Sequence, residues 1–313
     1  MKKNVTGRLL IAAVVLVPLA LAAPREARGE YPSCTMTAVA ARAACFHERQ
    51  DDYFIALGKC DNLLSMADRR PCRQRAEADR REAAAECRLQ FQSRTGICAE
   101  LGQAAYDPVI DPANFMTPAG TAADPNPYFP LVPGTVYTYE GGTETVTVTV
   151  TGEVKVILGV ACIAVHDVVA DAGEVIEDTW DWYAQDLDGN VWYFGEISQE
   201  FVDGELVSID GSWKAGVDGA KPGIIMQAAP EVGDFYRQEF LLGDAEDVAQ
   251  VVSVTGTAVV PAATCSGDCV VTSDFTPLEP DVAERKFYAP GVGLILEVDV
   301  ETGDRVELVS VTP

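Results

Sequence analysis

Apolar and polar residues alternate along most of the second half of the chain. The clearest case is TETVTVTVTGEVKVIL at residues 143–158, where threonine or a charged residue alternates with valine. A two-residue period is typical of a strand with one buried face. Similar runs recur, and turn-like pairs such as Gly141-Gly142 and Asp203-Gly204 separate them. We therefore expect about ten to twelve short strands in a strongly curved antiparallel sheet, which forms a barrel, a half-barrel or a sandwich around an internal cavity.

Residues 30–101 have a different pattern, rich in the helix formers Ala, Glu, Arg and Leu. Six of the nine cysteines lie here, at spacings of 11, 15, 12, 15 and 11 residues. Eleven and fifteen residues are close to three and four helical turns, so the cysteines follow one stripe of each helix. We expect the chain to reverse at residues 65–70 and the second helix to start at Pro71. Because the spacings are palindromic, an antiparallel hairpin brings mirrored cysteines level and predicts the disulfides Cys34–Cys98, Cys45–Cys87 and Cys60–Cys72.

This pairing is one of the fifteen that six cysteines allow. The alternative is metal storage by reduced thiols in a helix bundle, which favours closely spaced ligands, whereas the nearest two cysteines here are eleven residues apart. Farther along, Cys265 and Cys269 bracket Ser-Gly-Asp and predict a small disulfide loop. Cys162 then remains as a buried free thiol.

The segment 102–134 carries seven prolines and separates the helical region from the strands at 135–313. Proline lacks a backbone donor and interrupts helices. We interpret this segment as a linker, or as a strap that runs along the β domain. Phe115, Tyr128 and Phe129 are its candidate anchors.

Three of the four tryptophans lie in residues 177–196, around the turn signal Asp188-Gly189. A two-residue type I′ turn at this pair predicts that Tyr183 faces Phe194 and that Asp181 faces Glu196. The predicted faces are Asp181, Tyr183, Leu187, Trp192 and Phe194 on one side, and Trp180, Trp182, Ala184, Val191 and Tyr193 on the other. Since both faces are largely aromatic, we expect this ribbon to be covered on both sides or to line a cavity on one. The candidate ligand-binding residues are Trp180, Trp182, Tyr183, Trp192 and Phe194.

Four segments of the chain resemble a family of uncharacterised bacterial exported β-rich proteins. They are NPYFPLVPGTVYTYEG (126–141), DTWDWYAQDLDGNVWYFGE (178–196), GSWKAGVDGAKPGIIM (211–226) and YAPGVGLILEV (288–298). The resemblance covers roughly residues 126–311. It implies a β-rich fold and brings no activity and no catalytic residues.

Carboxylates in the central ribbon suggest a cation site. Like charges at Asp181 and Glu196 are destabilising when they face each other, unless a proton or a cation lies between them. Asp186 and Asp188 begin a string that looks like the start of a calcium loop, but isoleucine stands at loop position twelve, Ile197, where an EF-hand has glutamate. Calcium is therefore the one candidate cofactor, and a solvated ribbon end with a plain hairpin turn is the alternative.

Residues 1–29 read as a secretory signal peptide: a basic start, an apolar run broken by Pro18, and small-residue cleavage motifs at 20–22 and 27–29. We expect an exported protein, periplasmic or extracellular, with no membrane span after cleavage. Residues 114–313 contain 34 acidic residues and 7 lysines or arginines. Such a domain repels nucleic acid and anionic membranes, so the expected partner is an unidentified ligand or a protein.

Common catalytic motifs are absent from the sequence, including GxSxG, the P-loop, GxGxxG and HExxH. The function predicted first is a non-enzymatic ligand- or partner-binding protein. The first alternative is a calcium-binding surface protein. The second is a carbohydrate-active hydrolase that uses paired carboxylates such as Asp181 and Glu196. His166 and Asp167 are adjacent in an alternating run, which predicts that they lie on opposite faces and form no acid–base pair.

Overall fold

The computed structural model describes residues 32–313, in which two long helices precede a single large sheet. The predicted signal peptide, residues 1–29, lies outside this range. The helices are α1 (Ser33–Asp61), α2 (Met66–Leu101) and the short α3 (Pro118–Ala123). The strands are β1 (Val136–Gly141), β2 (Glu144–Ile157), β3 (Val160–Asp171), β4 (Glu174–Gln185), β5 (Val191–Val202), β6 (Glu205–Ser208), β7 (Trp213–Lys214), β8 (Lys221–Met226), β9 (Phe235–Arg237), β10 (Glu239–Phe240), β11 (Val248–Val260), β12 (Ala263–Phe275), β13 (Ala283–Ala289), β14 (Gly293–Asp299) and β15 (Arg305–Thr312).

Helices α1 and α2 form the predicted antiparallel hairpin, and three disulfides join them. The bonds are Cys34–Cys98, Cys45–Cys87 and Cys60–Cys72, with Cα–Cα distances of 5.6, 5.8 and 5.5 Å. Few other α1 side chains are buried, since Ala38 is the one buried residue of this helix that is not a cysteine. The mirrored pairing is confirmed, and cation–π contacts of Arg42 with Phe91 and of Arg80 with Tyr53 join the helices beside the disulfides.

The reversal between the helices is shorter than the sequence predicted. Helix α2 begins at Met66 and not at Pro71, because the Ser65 hydroxyl caps it by accepting a hydrogen bond from the Ala67 amide at 3.1 Å. Pro71 therefore lies inside the helix. There it removes a backbone donor.

The strands pair antiparallel in two meanders that share one sheet. Within residues 32–313 the order is β10-β8-β5-β4-β3-β2-β1-β15-β14-β13-β12-β11-β9, with β6 and β7 paired to β5. The first and last strands of the described residues, β1 and β15, are neighbours and join the two meanders. There are more strands than predicted because some expected runs are split. The run RKFYAPGVGLILEVDV, for example, turns back on itself as β13 and β14.

One short segment brings both ends of the sheet together. Its first half, β9, pairs with β11, and its second half, β10, pairs with β8. Gln238 is the single residue between the two strands. The sheet is therefore a nearly closed, barrel-shaped curve, and the predicted fold class, mainly β with a disulfide-joined helical hairpin, is confirmed.

The proline-rich segment runs as a strap against β4 and β5. Its regular pieces are a 3-10 helix at Pro112–Asn114 and α3, and in both the prolines occupy the first turn. Asn126 fixes the strap, because its side-chain nitrogen donates to the carbonyl oxygens of Gly189 and Gln227 at 2.9 and 3.0 Å. The candidate anchors Phe115, Tyr128 and Phe129 all pack against the sheet's core.

The helical hairpin is docked on the sheet through α2. The Arg94 guanidinium binds both carboxylate oxygens of Glu246, with the shortest contact at 2.6 Å. Both side chains are buried, and Glu246 also accepts a hydrogen bond from the Gly243 amide. Gln90 donates to the carbonyl of Leu278 at 2.9 Å.

Cys265 and Cys269 are joined in a disulfide within β12, at a place where the pairing with β11 shifts register. Cys162 is a buried free cysteine. Disulfides persist in oxidising compartments, so these four bonds indicate a location outside the cytoplasm. Among the helices described in residues 32–313, none has the length and apolar character that a membrane crossing needs.

Candidate functional site

A cavity of about 530 Å³ lies against the concave face of the sheet. Its walls come from β1–β4 on one side and β13–β15 on the other, so the pairing of β1 with β15 runs through its middle. The strap closes part of it with Phe129 and Pro130. Aliphatic residues make up much of the wall: Val146, Val148, Val165, Val169, Ile176, Val292, Leu294 and Val306.

Tyrosines form the aromatic part of the wall: Tyr137, Tyr139, Tyr183 and Tyr288. The Tyr139 hydroxyl donates to the carbonyl oxygen of Leu294 at 3.1 Å, which fixes this ring across the cavity. The Tyr183 ring stacks on Tyr193 with centroids 4.7 Å apart and meets Phe129 edge-on at 5.1 Å. These contacts set the ring positions without a ligand.

The burial of the lining residues indicates where the cavity opens. Glu144 and Ile176 are exposed, and both lie at the beginning of their strands. Asp181, Tyr183 and Tyr288, deeper in the same walls, are buried. The entrance therefore lies at the strand ends that carry Glu144 and Ile176.

Asp167 projects into this cavity from β3. Its Oδ1 atom is buried and accepts no hydrogen bond from the residues described. Burial, followed by the charges of Asp181, Glu177 and Glu297, raises the pKa of its carboxyl to about 8. At neutral pH the group is therefore mainly protonated.

Asp181 lies on β4, the strand next to β3, and its carboxylate does have a hydrogen-bond donor. The Tyr193 hydroxyl donates to its Oδ1 at 2.5 Å. Burial raises the pKa of Asp181 and the hydrogen bond from Tyr193 opposes that rise. Glu177 lies four residues before Asp181 on β4. It accepts a hydrogen bond from the Thr179 hydroxyl at 2.7 Å.

Lys286 is the one cationic side chain in the cavity wall as described. Its Nζ lies 3.1 Å from Glu284, 3.4 Å from Glu297 and 4.0 Å from Asp274. Burial disfavours its charge, but the charges of these three carboxylates outweigh burial and raise its pKa. The ammonium group of Lys286 therefore forms its ion pairs with carboxylates on the β12–β14 side of the cavity.

The turn of the central ribbon differs from the prediction. Residues 186–190 form a five-residue loop between β4 and β5, and a register shift follows Asp181. Asp181 does face Glu196, as predicted, but Tyr183 faces Tyr193 and Gln185 faces Val191. The predicted two-residue turn is therefore wrong, and so is the predicted pairing of Tyr183 with Phe194.

The Asp186 carboxylate explains the wider loop, because it accepts four hydrogen bonds. Its oxygens take the amides of Asp188 and Asn190, the Asn190 side chain and the Trp192 indole, at 2.8–3.0 Å. These donors occupy the oxygens that a calcium ion would need. Within residues 32–313, no three His, Cys, Asp or Glu side chains are grouped as a metal site requires. Calcium binding at Asp186 and Asp188 stays a prediction.

The register shift also changes which aromatic residues share a face. Tyr193 joins Asp181 and Tyr183 on the concave side. Trp192 and Phe194 instead pack on Phe115 of the strap, at 6.1 and 5.5 Å. The ribbon is thus covered by the strap on one side and lines the cavity on the other.

Of the five aromatic residues named as ligand-binding candidates, Tyr183 lines the cavity. Trp180 stacks on His166 at 4.3 Å, outside it. Trp182 lies under the Lys155 ammonium, 3.6 Å from the ring centroid.

The two carboxyls of the hydrolase hypothesis line different cavities. Asp181 faces the large one, whereas Glu196 lines a smaller one of about 250 Å³ with Lys155, Trp182 and Trp213. Burial, and then the neighbouring charge of Asp181, raises the pKa of Glu196. The two carboxyls still face each other across β4 and β5, and the hydrolase hypothesis stays a prediction.

His166 and Asp167 point to opposite sides of β3. The His166 Nε2 atom lies 2.9 Å from Asp178 Oδ1 on the outer face, while Asp167 lines the cavity. The expected separation of this histidine from its neighbour is confirmed.

Most of the cavity wall was missed at the level of sequence, although a signal for it exists. Tyr137 and Tyr139 alternate in VYTYEG of β1. Val165, Asp167 and Val169 alternate in β3, which places one polar group in a row of inward-facing apolar ones. An acid or phenol at the buried positions of a curved strand is the pattern to search for.

No protein-family model matches the chain, and no curated protein does. Two solved structures align with part of it. A provisionally assigned exported protein with a YmcC-like fold from Bacteroides fragilis is 15% identical, with a TM-score of 0.36 over 59% of this chain and 99% of that chain. A provisionally assigned lipoprotein from Parabacteroides distasonis is 12% identical, with a TM-score of 0.33 over 60% of this chain and 100% of that chain. At scores this low, neither likeness establishes a shared fold or function.

Proposed function

We propose that the chain is an exported, non-enzymatic binding protein whose cavity takes a small, mainly apolar ligand. The observation that supports this most is the cavity itself, which has a volume of about 530 Å³ and aliphatic and tyrosine walls with a few carboxyl groups. Small-molecule sites are commonly concave, mainly apolar and about 300–1,000 Å³ in volume.

The walls are fixed in advance, which favours binding because little side-chain freedom is lost when a ligand enters. Tyr139 is held by Leu294, and Tyr183 is packed between Tyr193 and Phe129. Behind them, the strap is joined to the β4–β5 loop by hydrogen bonds.

Filling the cavity tests the proposal. Val169 lines it, whereas its neighbour Val168 faces the other side of β3. Val169→Phe places a ring in the ligand space and should weaken binding about tenfold or more. The probe is a neutral naphthylamine dye whose fluorescence rises in apolar surroundings, titrated into the exported protein.

Val168→Phe is the matched control, because it adds the same ring to the same strand on the opposite face. It should leave dye binding within about twofold of the wild type. Circular dichroism and thermal melting confirm that each variant is folded. The proposal fails if the wild type shows no saturable binding, or if folded Val169→Phe and Val168→Phe bind the dye alike.

A further inference from the structure

We infer, resting on the proposed function, that the ligand is an organic cation with an ammonium group on an aromatic or branched aliphatic frame. The feature that points to it is the meeting of carboxyl groups and tyrosine faces in one apolar cavity. The carboxyl groups are Glu144, Asp167, Glu177, Asp181 and Glu297.

The one lysine of the cavity wall pairs with carboxylates on one side of the cavity and with none on the other. Lys286 lies within 4.0 Å of Glu284, Glu297 and Asp274, all on β12–β14. Among residues 32–313, no lysine or arginine forms an ion pair with Asp167 on β3, and Lys286 acts on its pKa only from a distance. The carboxyl groups on the β3–β4 side, Asp167, Glu177 and Asp181, therefore have no ammonium partner within ion-pair distance in the described part of the chain.

Asp167 supplies the acceptor for a ligand's N–H group. The neighbouring carboxylates already have donors, since Tyr193 binds Asp181 and Thr179 binds Glu177. Asp167 Oδ1 is buried without one. A buried acceptor without a donor is costly, so a ligand that brings a charged donor to this oxygen gains more there than elsewhere in the wall.

The rest of the wall suits the remainder of such a ligand. Tyrosine faces attract ammonium groups placed within about 6 Å of the ring centroid. Tyr139, Tyr183 and Tyr288 line the same cavity as Asp167. The valines and Leu294 then contact the hydrocarbon frame, which a bare metal ion lacks.

The protonation state of Asp167 predicts a second measurable effect of binding, the release of a proton. Its pKa is raised to about 8, first by burial and then by neighbouring charges. The charged and titratable groups that face it are Asp181, Glu177 and Tyr183 from β4, Glu297 from β14, Lys286 from β13 and Tyr139 from β1. A bound ammonium favours the ionised carboxylate, so binding at pH 7 should release up to about one proton per ligand.

A matched ligand series tests the charge preference. The probes are phenylethylamine, phenylethanol and phenylpropanoate, which are similar in size and differ in charge. We expect the amine to displace the naphthylamine dye with an affinity at least about tenfold higher than that of the alcohol, and the carboxylate to bind most weakly. Calorimetry in two buffers of different ionisation enthalpy should detect proton release for the amine and none for the alcohol.

The Asp167→Asn variant should lower the affinity for the amine about tenfold, abolish its proton release and leave the affinity for the alcohol unchanged. Asp171→Asn, an exposed residue at the end of the same strand, is the control and should behave as the wild type. A purely structural role of Asp167 would change both ligands together.

The outcomes separate this inference from the proposed function. If dye and alcohol bind but the amine has no advantage, or if Asp167→Asn keeps that advantage, the organic-cation inference is overturned and the cavity remains a binding site. If neither the dye nor any probe binds the folded protein, both fail.

Discussion

Asp167 holds a carboxyl group in surroundings that disfavour its charge. Its pKa in the folded protein is about 8, mainly because of burial, whereas an aspartate in an unfolded chain ionises at about pH 4. The folded state therefore keeps a proton that the unfolded state loses. Its contribution to the free energy of unfolding is complete below about pH 4 and is lost as the pH rises to about 8.

We expect Asp167→Asn to be more stable than the wild type at pH 8, because the amide has no charge to bury. The melting temperatures of the two proteins should diverge by a few degrees between pH 5 and pH 8, measured by scanning calorimetry. Other acids such as Glu196 also have a raised pKa. The pH dependence of the variant's stability should therefore be reduced and not abolished.

Asp171→Asn removes a carboxyl from the same strand at an exposed position and should follow the wild-type curve. Parallel curves for Asp167→Asn and the wild type would contradict the raised pKa.

Two Asp-Gly pairs show what a local turn signal predicts and what it does not. Asp203 and Gly204 both have positive φ, and they join Val202 to Glu205 in a two-residue turn. At Asp188-Gly189 only the glycine has positive φ. The difference lies in Asp186, whose carboxylate binds the amides of Asp188 and Asn190. The dipeptide correctly predicts a reversal, but a side chain outside the dipeptide decides its length.

At the scale of elements, the helical hairpin depends on its cross-links. Its helices bury few side chains between them, and α1 buries two of its cysteines and Ala38. The spacing of six cysteines was enough to predict the pairing, because helical rise per residue is constant. That constraint is local and geometric, which is why the sequence contained it.

Removing the central cross-link should destabilise the hairpin strongly. Cys45→Ala combined with Cys87→Ala removes a bond with a sequence separation of 42 residues, for which a lone loop would give about 4 kcal/mol. The cost should be about 3 kcal/mol, because the bonds Cys34–Cys98 and Cys60–Cys72 still tether both segments. Far-UV circular dichroism should record an earlier loss of helix on heating.

The matched variant, Cys265→Ala with Cys269→Ala, opens a separation of four residues in β12. It should cost about 2 kcal/mol on the same basis and leave the helical signal in place. Equal helical melting in both double variants would contradict the role of the cross-links.

The central ribbon was predicted less well than the hairpin. Its strands and the facing pair of Asp181 and Glu196 were correct, whereas the shift between Asp181 and Tyr183 moved Tyr193 to the concave face. A one-residue shift exchanges the faces of a strand. The shift falls beside Gly195, which has a positive φ and lies too close to the Trp213 backbone to carry a side chain. A glycine inside a strand pattern is a local signal of a bulge, and the prediction overlooked it.

At the scale of the whole molecule, long-range pairs complete the architecture. Gln238 lies where the two ends of the sheet meet, and Arg94 binds Glu246 across 152 residues of sequence. Period and composition do not identify such partners, so the closure of the sheet and the docking of the hairpin could not be predicted. The cavity depends on another long-range pairing, that of β1 with β15, because its walls lie on both sides of these two strands.

The acidic residues of 114–313 fall into two groups in this architecture. Most of the 34 acidic residues there serve a solvated surface, but a small group is held inside the sheet with tyrosines. This interior group is where the organic cation binds.

Crystals of the exported protein soaked with an iodinated phenylethylamine test this claim most directly, because anomalous scattering locates the iodine. We expect one iodine peak inside the cavity, with the ammonium density nearest Asp167 and within reach of Tyr183 or Tyr288. Iodine bound only on the outer surface, for example beside Trp180 and His166, would contradict it.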